Sequence, residues 1–273
     1  MIRLAVRVAR ADAEAVLAEL LELAPGGLEE RAPDAESIEY VLYGTPGELP
    51  ALPALRAAAG DALVDVSSSE VPDDWAERWK AFHRPVEVSG GGRRLWVRPP
   101  WEPPAGGEAL DLVIDPGQAF GTGGHHTTRL CLELLLTLAP GGALADWGCG
   151  SGVLAIAAAR LGWEPVLACD HDPASVAATR ANAAVNGVPE VAVERTDLRR
   201  AGGPWAPTVV ANLVRPLLLE LAAAMPDPPH RLLISGLLRE EAGEVAAAFT
   251  RHGLREADRR QGGEWAALLL ASE

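Results

Sequence analysis

Cysteine is scarce in these 273 residues. The three present, Cys131, Cys149 and Cys169, lie 18 and 20 positions apart. That spacing excludes both the close pairs of a zinc site and a dense disulfide framework. Long apolar runs are missing too. Nothing reaches the roughly 18 uncharged apolar residues of a membrane-spanning helix. The opening IRLAVRVARADAE alternates and then turns acidic, without the apolar core of a secretory signal. The expectation from these deficits is a cytoplasmic, reducing compartment with no membrane partner.

Basic charge is the third deficit. Against 38 Asp and Glu stand 24 Lys and Arg, a formal net charge of −14. Nucleic-acid phosphates are usually met by clustered cations, so direct nucleic-acid binding is not expected. An acidic surface suits a small-molecule ligand or a basic protein, whose encounter it speeds, and it also serves solubility alone. Apolar residues, by contrast, are abundant: 48% of the chain, enough for a substantial core. No segment reads as disordered by composition. The length fits one large domain, or one domain plus a smaller one.

The pattern along the chain separates two parts. IRLAVRV at 2–8, SIEYVLY at 37–43 and ALVDVS at 62–67 read as strands, and 11–24 and ALPALRAAAG as helices. This small α/β unit carries 5 basic and 13 acidic residues over positions 1–70, a net of −8. A connector follows at 72–85, with Trp75, Trp79 and Phe82 on one face of a helix. SGGGR at 89–93 reads as a turn, then come RLWVRPPW and the strand LDLVID. From 143 apolar strands (143–147, 165–169, 190–194, 207–212, 230–235) alternate with helices near 151–161, 173–186, 215–224 and 239–251. Such alternation predicts a doubly wound, Rossmann-like parallel sheet with helices on both faces. GLREAD and EWAALLL, joined by RRQGG, close it with a terminal antiparallel hairpin, as in methyltransferases that use S-adenosylmethionine.

The glycine motif 146-DWGCGSG-152 selects among cofactors. Ligands of doubly wound sheets lie at the carboxyl ends of the strands, where glycine permits sharp bends and close approach. A dinucleotide loop needs G-x-G-x-x-G, but Gly152 comes one position early and Val153 stands where the third glycine belongs. No Gly-Lys-Ser/Thr follows for a phosphate loop either. D-x-G-x-G-x-G matches the S-adenosylmethionine loop, with Gly148, Gly150 and Gly152 passing close to the cofactor. Asp170, 24 residues after Asp146 and at the end of the next strand, is placed to accept hydrogen bonds from two ribose hydroxyls. Asp172 precedes Pro173 and starts the next helix. After the third strand, Thr196 or Asp197 is a candidate neighbour of the adenine.

Two further stretches narrow the reaction. In 115-DPGQAFGTGGHHTTRLCLELL-135 glycines precede a helix opening at about Thr127. The Thr127 and Thr128 hydroxyls and free N–H groups at that end suit a carboxylate. His125 and His126 are adjacent and lack an acid at a ligand offset, so no metal site is expected. In 209-VVANLVRP-216, Asn212 ends the strand facing the transferred methyl. Enzymes acting on delocalised amide or base nitrogens carry Asn-Pro-Pro-Tyr there. Here Leu, Val and Arg follow instead, which favours an aliphatic amine oriented by Asn212.

FGTG-x-H-x-TT at 120–128, DWGCGSGVLAIAA at 146–158, D-x-DP at 170–173 and ANL at 211–213 together resemble PrmA, the methyltransferase family of large-subunit ribosomal protein eleven. DDWAERWKAFHRPVEV, RLWVRPPW and GGEWAALLL extend the resemblance over roughly 70–273. It implies an amino-terminal substrate-recognition domain at 1–69, a linker at 70–93 and a catalytic domain at 94–273. It also implies methylation of lysines and the terminal amine of that ribosomal protein, and the small domain with its linker suggests a monomer. Cofactor contacts carry over onto Thr128, Gly148, Asp170 and Asn212, with Phe120 of the FGTG stretch beside them. Thr208 departs from the family pattern, in which an acid often begins the fourth strand.

Overall fold

A computed structural model describes residues 2–13, 16–17, 19–20, 28–44, 49–70, 83–117, 121 and 123–272. The connector at 72–82 with its aromatic stripe, and Phe120, lie outside the described residues. The chain divides into two compact units, Met1–Ala81 and Phe82–Glu273.

In the first unit β1 (Ile2–Ala9), β2 (Glu29–Arg31), β3 (Ser37–Gly44) and β4 (Leu63–Glu70) form an antiparallel sheet in the order β2-β3-β1-β4, with α1 (Leu52–Ala59) between β3 and β4 in the chain. The sequence pattern missed β2, whose three exposed residues EER carry no apolar alternation. The helical reading over 11–24 falls partly outside the described residues. Leu4, Val6 and Val8 of β1 share a core with Ile38, Tyr40 and Leu42 of β3 and Leu55 of α1. That alternation is what a sheet with one apolar face requires.

The second unit opens with β5 (Val86–Gly90), β6 (Arg93–Arg98) and β7 (Leu110–Val113), a three-stranded sheet in that order. The glycines between β5 and β6 serve packing as well as turning. A Cβ at Gly90 would lie 2.5 Å from the Glu133 carbonyl oxygen, and one at Gly91 2.6 Å from that of Leu136. Both carbonyls belong to α2 (His126–Thr137). Arg93 then donates to the Leu136 and Leu138 carbonyls at 2.5 Å each, holding the carboxyl end of α2 where a cation is favoured.

The large sheet follows: β8 (Leu144–Trp147), α3 (Val153–Leu161), β9 (Val166–Asp170), α4 (Pro173–Val185), β10 (Ala192–Arg195), α5 (Leu198–Ala201), β11 (Thr208–Asn212), α6 (Arg215–Ala224), β12 (Arg231–Leu238), α7 (Ala242–Thr250), β13 (Leu254–Gly262) and β14 (Trp265–Ser272). Its order is β10-β9-β8-β11-β12-β14-β13, parallel through β12 and antiparallel beyond. β13 runs on through the RRQG that the sequence pattern assigned to the turn. Successive residues feed opposite faces. Val210 joins a core with α2 and α3, whereas Val209 and Ala211 join another with α6 and α7. The strand order reverses between β8 and β11, so a crevice opens at their carboxyl ends. Among the described residues no helix is long and apolar enough to cross a membrane.

Candidate active site

Three strand ends meet at that crevice. β8 ends at Trp147 and enters the glycine turn, where Gly148, Gly150 and Gly152 take φ of +76°, +54° and +83°. Side chains other than glycine rarely adopt that region, so the motif's alternate glycines follow from its shape. The turn is pinned to β9. Gly148 and Cys149 N–H groups both donate to the Cys169 carbonyl, at 2.8 and 3.0 Å. The Gly150 N–H donates to Oδ2 of Asp170 at 3.0 Å, and the Asp172 N–H to Oδ1 at 3.0 Å. His171 Nδ1 also lies 3.2 Å from Oδ1, while Oδ2 has a further lone pair. Asp172 starts α4 as expected, accepting from the Ala174 and Ser175 N–H groups.

Asp146 lies beneath the turn and is wholly buried. Its Oδ2 accepts the Ala155 N–H at 3.0 Å, while Oδ1 has no hydrogen-bond partner among the described residues. Burial pushes the carboxyl up to about 7; the Ala155 N–H opposes the rise and the Asp170 charge adds to it. The thiols of Cys149 and Cys169 are pushed up, chiefly by burial, so neither supplies a thiolate near neutral pH.

Opposite the turn, Asn212 ends β11, and its Nδ2 donates to Thr128 Oγ1 at 3.3 Å. Two residues that sequence reasoning placed at the site, 84 positions apart, thus touch. Leu213 follows, and its Cδ2 would lie 2.5 Å from a Cβ on Gly148. The arm after β11 therefore rests on the glycine turn.

The amino end of α2 differs from expectation. The helix begins at His126, with His125 as its cap. His125 Nδ1 accepts the Thr127 N–H at 3.3 Å and lies 2.8 Å from Thr127 Oγ1, so Thr127 is engaged and Thr128 alone faces Asn212. Burial, with His126 adding, holds the His125 ring below its ordinary pKa. A neutral ring is what this cap needs, because a protonated Nδ1 cannot accept. Asp197 caps α5 through the Arg199 N–H at 3.1 Å and pairs with Arg200. Its neighbour Thr196 donates its N–H to the Asp170 carbonyl at 2.8 Å, which sets that corner beside the end of β9.

One functional element escaped sequence reasoning. α4 carries Thr179 and Asn182 and is capped at its carboxyl end by Asn186, all buried and at helical spacing on one face. Thr179 Oγ1 donates to the Gly150 carbonyl at 2.9 Å. Asn182 donates to the Ser151 carbonyl at 2.9 Å and accepts the Asp115 N–H at 3.0 Å. Asn186 exchanges both bonds with the Val113 backbone, at 2.9 and 2.7 Å. Ser151 Oγ adds a bond to the Gly121 carbonyl at 2.7 Å. The ladder ties the glycine turn to the strand that leads into the FGTG stretch. Its signal in the sequence was a polar series at i, i+3 and i+7 on a helix whose apolar face is otherwise alanine and valine.

Residues 54–273 match the family model described as Ribosomal protein L11 methyltransferase (PrmA). The chain belongs to the ribosomal protein L11 methyltransferase family. It is 37% identical over 281 residues to the Ribosomal protein L11 methyltransferase of Myxococcus xanthus, covering 96% of this chain and 95% of that one. With the Heliobacterium modesticaldum relative of the same name the identity is 42% over 203 residues, 72% of this chain. The match spans 63% of the length of that relative, and 66% of the Geobacter metallireducens one. The crystal structure of a ribosomal protein L11 methylase from Lactobacillus delbrueckii subsp. bulgaricus superposes with a TM-score of 0.61 at 28% identity, covering 68% of this chain and 98% of the other.

S-adenosylmethionine is the methyl donor of this family and fold. Its adenosine carries two ribose hydroxyls, and its amino-acid arm carries a cation and a carboxylate. The residues present fit such a group. Asp170 Oδ2, with one bond from the Gly150 N–H, keeps a lone pair for a hydroxyl beside a turn whose alternate residues are glycine. The unpartnered Asp146 oxygen lies beneath that turn and favours a nearby cation.

Proposed function

We propose that the chain is a protein methyltransferase acting on lysine side chains and the terminal amine of ribosomal protein L11, with S-adenosylmethionine as donor. The observation supporting this most is the abutment of the Asn212 arm on the glycine turn through Leu213 and Gly148. In this reading Asp170 accepts from the ribose hydroxyls, and Gly148, Gly150 and Gly152 let the backbone pass along the cofactor. Thr128, at the amino end of α2, takes the carboxylate. Phe120 and Asp197 flank the adenosine. The bound donor supplies a methyl group activated by its sulfonium charge.

The chain's own residues then orient the acceptor. Asn212 commits Nδ2 to Thr128, which leaves Oδ1 to accept an N–H of the incoming neutral amine and aim its lone pair. Positioning of this kind supplies much of the rate. A lysine amine titrates near pKa ~10.4 in water, so the rate rises with pH toward that value. Leu213 and Val214, which follow Asn212, offer no aromatic face to a delocalised nitrogen, consistent with an aliphatic amine.

The division of labour proposed is recognition by residues 1–69, a connecting segment at 70–93 and catalysis by 94–273. The net charge of −8 over residues 1–70 complements a basic ribosomal protein. The protein is proposed to act as a cytoplasmic monomer. Incubation with labelled donor and ribosomal extract from cells lacking the activity is the direct test. Label on the side-chain and terminal amines of L11 is the expected result. Label on another protein, or on none, overturns the reading.

A further inference from the structure

We infer that Gly236, on β12 and away from the glycine turn, is a positioning residue for the acceptor arm. The proposal rests on the methyl-transfer reading of the site. Gly236 interrupts an otherwise apolar strand, Arg231–Leu238, and has φ of +85°. The β12–β14 pairing shifts there: Ile234 faces Leu268 but Leu237 faces Ala266, so Ser235 and Gly236 together oppose one residue. A lone glycine within a strand marks either such a bulge or a close approach. Here it marks both.

The approaching group is the backbone of Leu213. A Cβ at Gly236 would overlap the Leu213 carbonyl oxygen, and would lie 2.7 Å from its carbon and 3.1 Å from its nitrogen. The Leu213 N–H donates to the Ser235 carbonyl at 3.1 Å, and Asn212 stands opposite Ser235 in the parallel register. Ser235 Oγ anchors the bulge to β14 through the Ala266 carbonyl at 2.9 Å. Leu213 is therefore held on two sides, its backbone against Gly236 and its side chain against Gly148. The residue before it is Asn212. The bulge sets where the arm leaves the sheet, and so where Asn212 points. Because a backbone cannot rotate out of the way as a side chain can, a methyl group at 236 must displace the arm itself.

Gly236→Ala provides the test, with Ser235→Ala as a milder change that keeps the glycine. Rates on L11, donor affinity by calorimetry and the Asn212 side-chain amide signals by nitrogen NMR of the donor-free protein are compared with wild type. For Gly236→Ala the expected result is a kcat lower by about 10- to 100-fold, since small misplacements of reacting groups cost that much. Donor Kd stays within about threefold, the Asn212 signals move, and products shift toward lower methylation. Ser235→Ala shows the same signature, smaller, and decides the matter if Gly236→Ala does not fold. Unchanged kcat and unmoved Asn212 signals overturn the proposal. So does a kcat loss matched by an equal loss of donor affinity, which indicates damage to the glycine turn instead. Wild-type protein that fails to label L11 overturns the methyl-transfer reading, and the positioning role falls with it.

Discussion

The two halves of the crevice are built differently. From Asp146 to Asp170 the chain makes strand, glycine turn, helix and strand in one continuous stretch, and the turn is fastened to β9 by backbone bonds and by the Asp170 carboxylate. The opposite half gathers Thr128, Asn212 and Ser235 from three distant elements, joined by one long side-chain bond and the packing of Leu213. A locally closed unit has few ways to deform, whereas a contact between distant elements moves when any one of them shifts. Changes in the first half should therefore be read as lost donor affinity or stability, and changes in the second as lost turnover.

The sharpest way to break that contrast is Asp170→Ala. Losing two hydrogen bonds to a charged group, about 1.5–3 kcal/mol each, should weaken donor binding by roughly 100-fold or more with the fold intact. Unaltered affinity by calorimetry removes the ribose assignment. Next in size is Asp146→Asn. The folded carboxyl, pushed up to about 7 from 3.8, retains a proton that the unfolded chain sheds. Its stabilisation is complete below the unfolded value and is lost as pH rises through about 7. At about 1.36 kcal/mol per unit of pKa difference, the Asn variant should gain on wild type by up to about 4 kcal/mol between pH 4 and pH 8. Urea denaturation at several pH values measures this, and parallel curves refute it.

Asn182→Ala strips the partners from the Asp115 N–H and the Ser151 carbonyl. A stability loss of roughly 2–4 kcal/mol is expected, with weaker donor binding. If donor binding is untouched, the ladder is structural only. Asn212→Ala should have the smallest effect on binding but cost turnover about 100-fold. A larger loss of affinity than of kcat would erase the distinction between the halves.

How much of this was legible follows the same division. The glycine turn, Asp170 and the alternation of strands and helices were readable because each is a local pattern: periodicity, a turn needing positive φ, a carboxylate one βαβ unit later. β2 was not, since an exposed three-residue strand carries no periodic signal. That Thr127 is occupied at the start of α2 was not legible either, since a histidine cap takes its N–H and lies against its hydroxyl.

What the amino-acid order determined alone is the class of fold and the loop that meets the donor, because short-range sterics and hydrophobic period act on neighbours in the chain. Only the tertiary structure decided that Asn212 reaches Thr128, that Asn182 splices two loops, and that Gly236 receives the Leu213 backbone. Those contacts join residues far apart along the chain, and their geometry exists only after the sheet has ordered its strands.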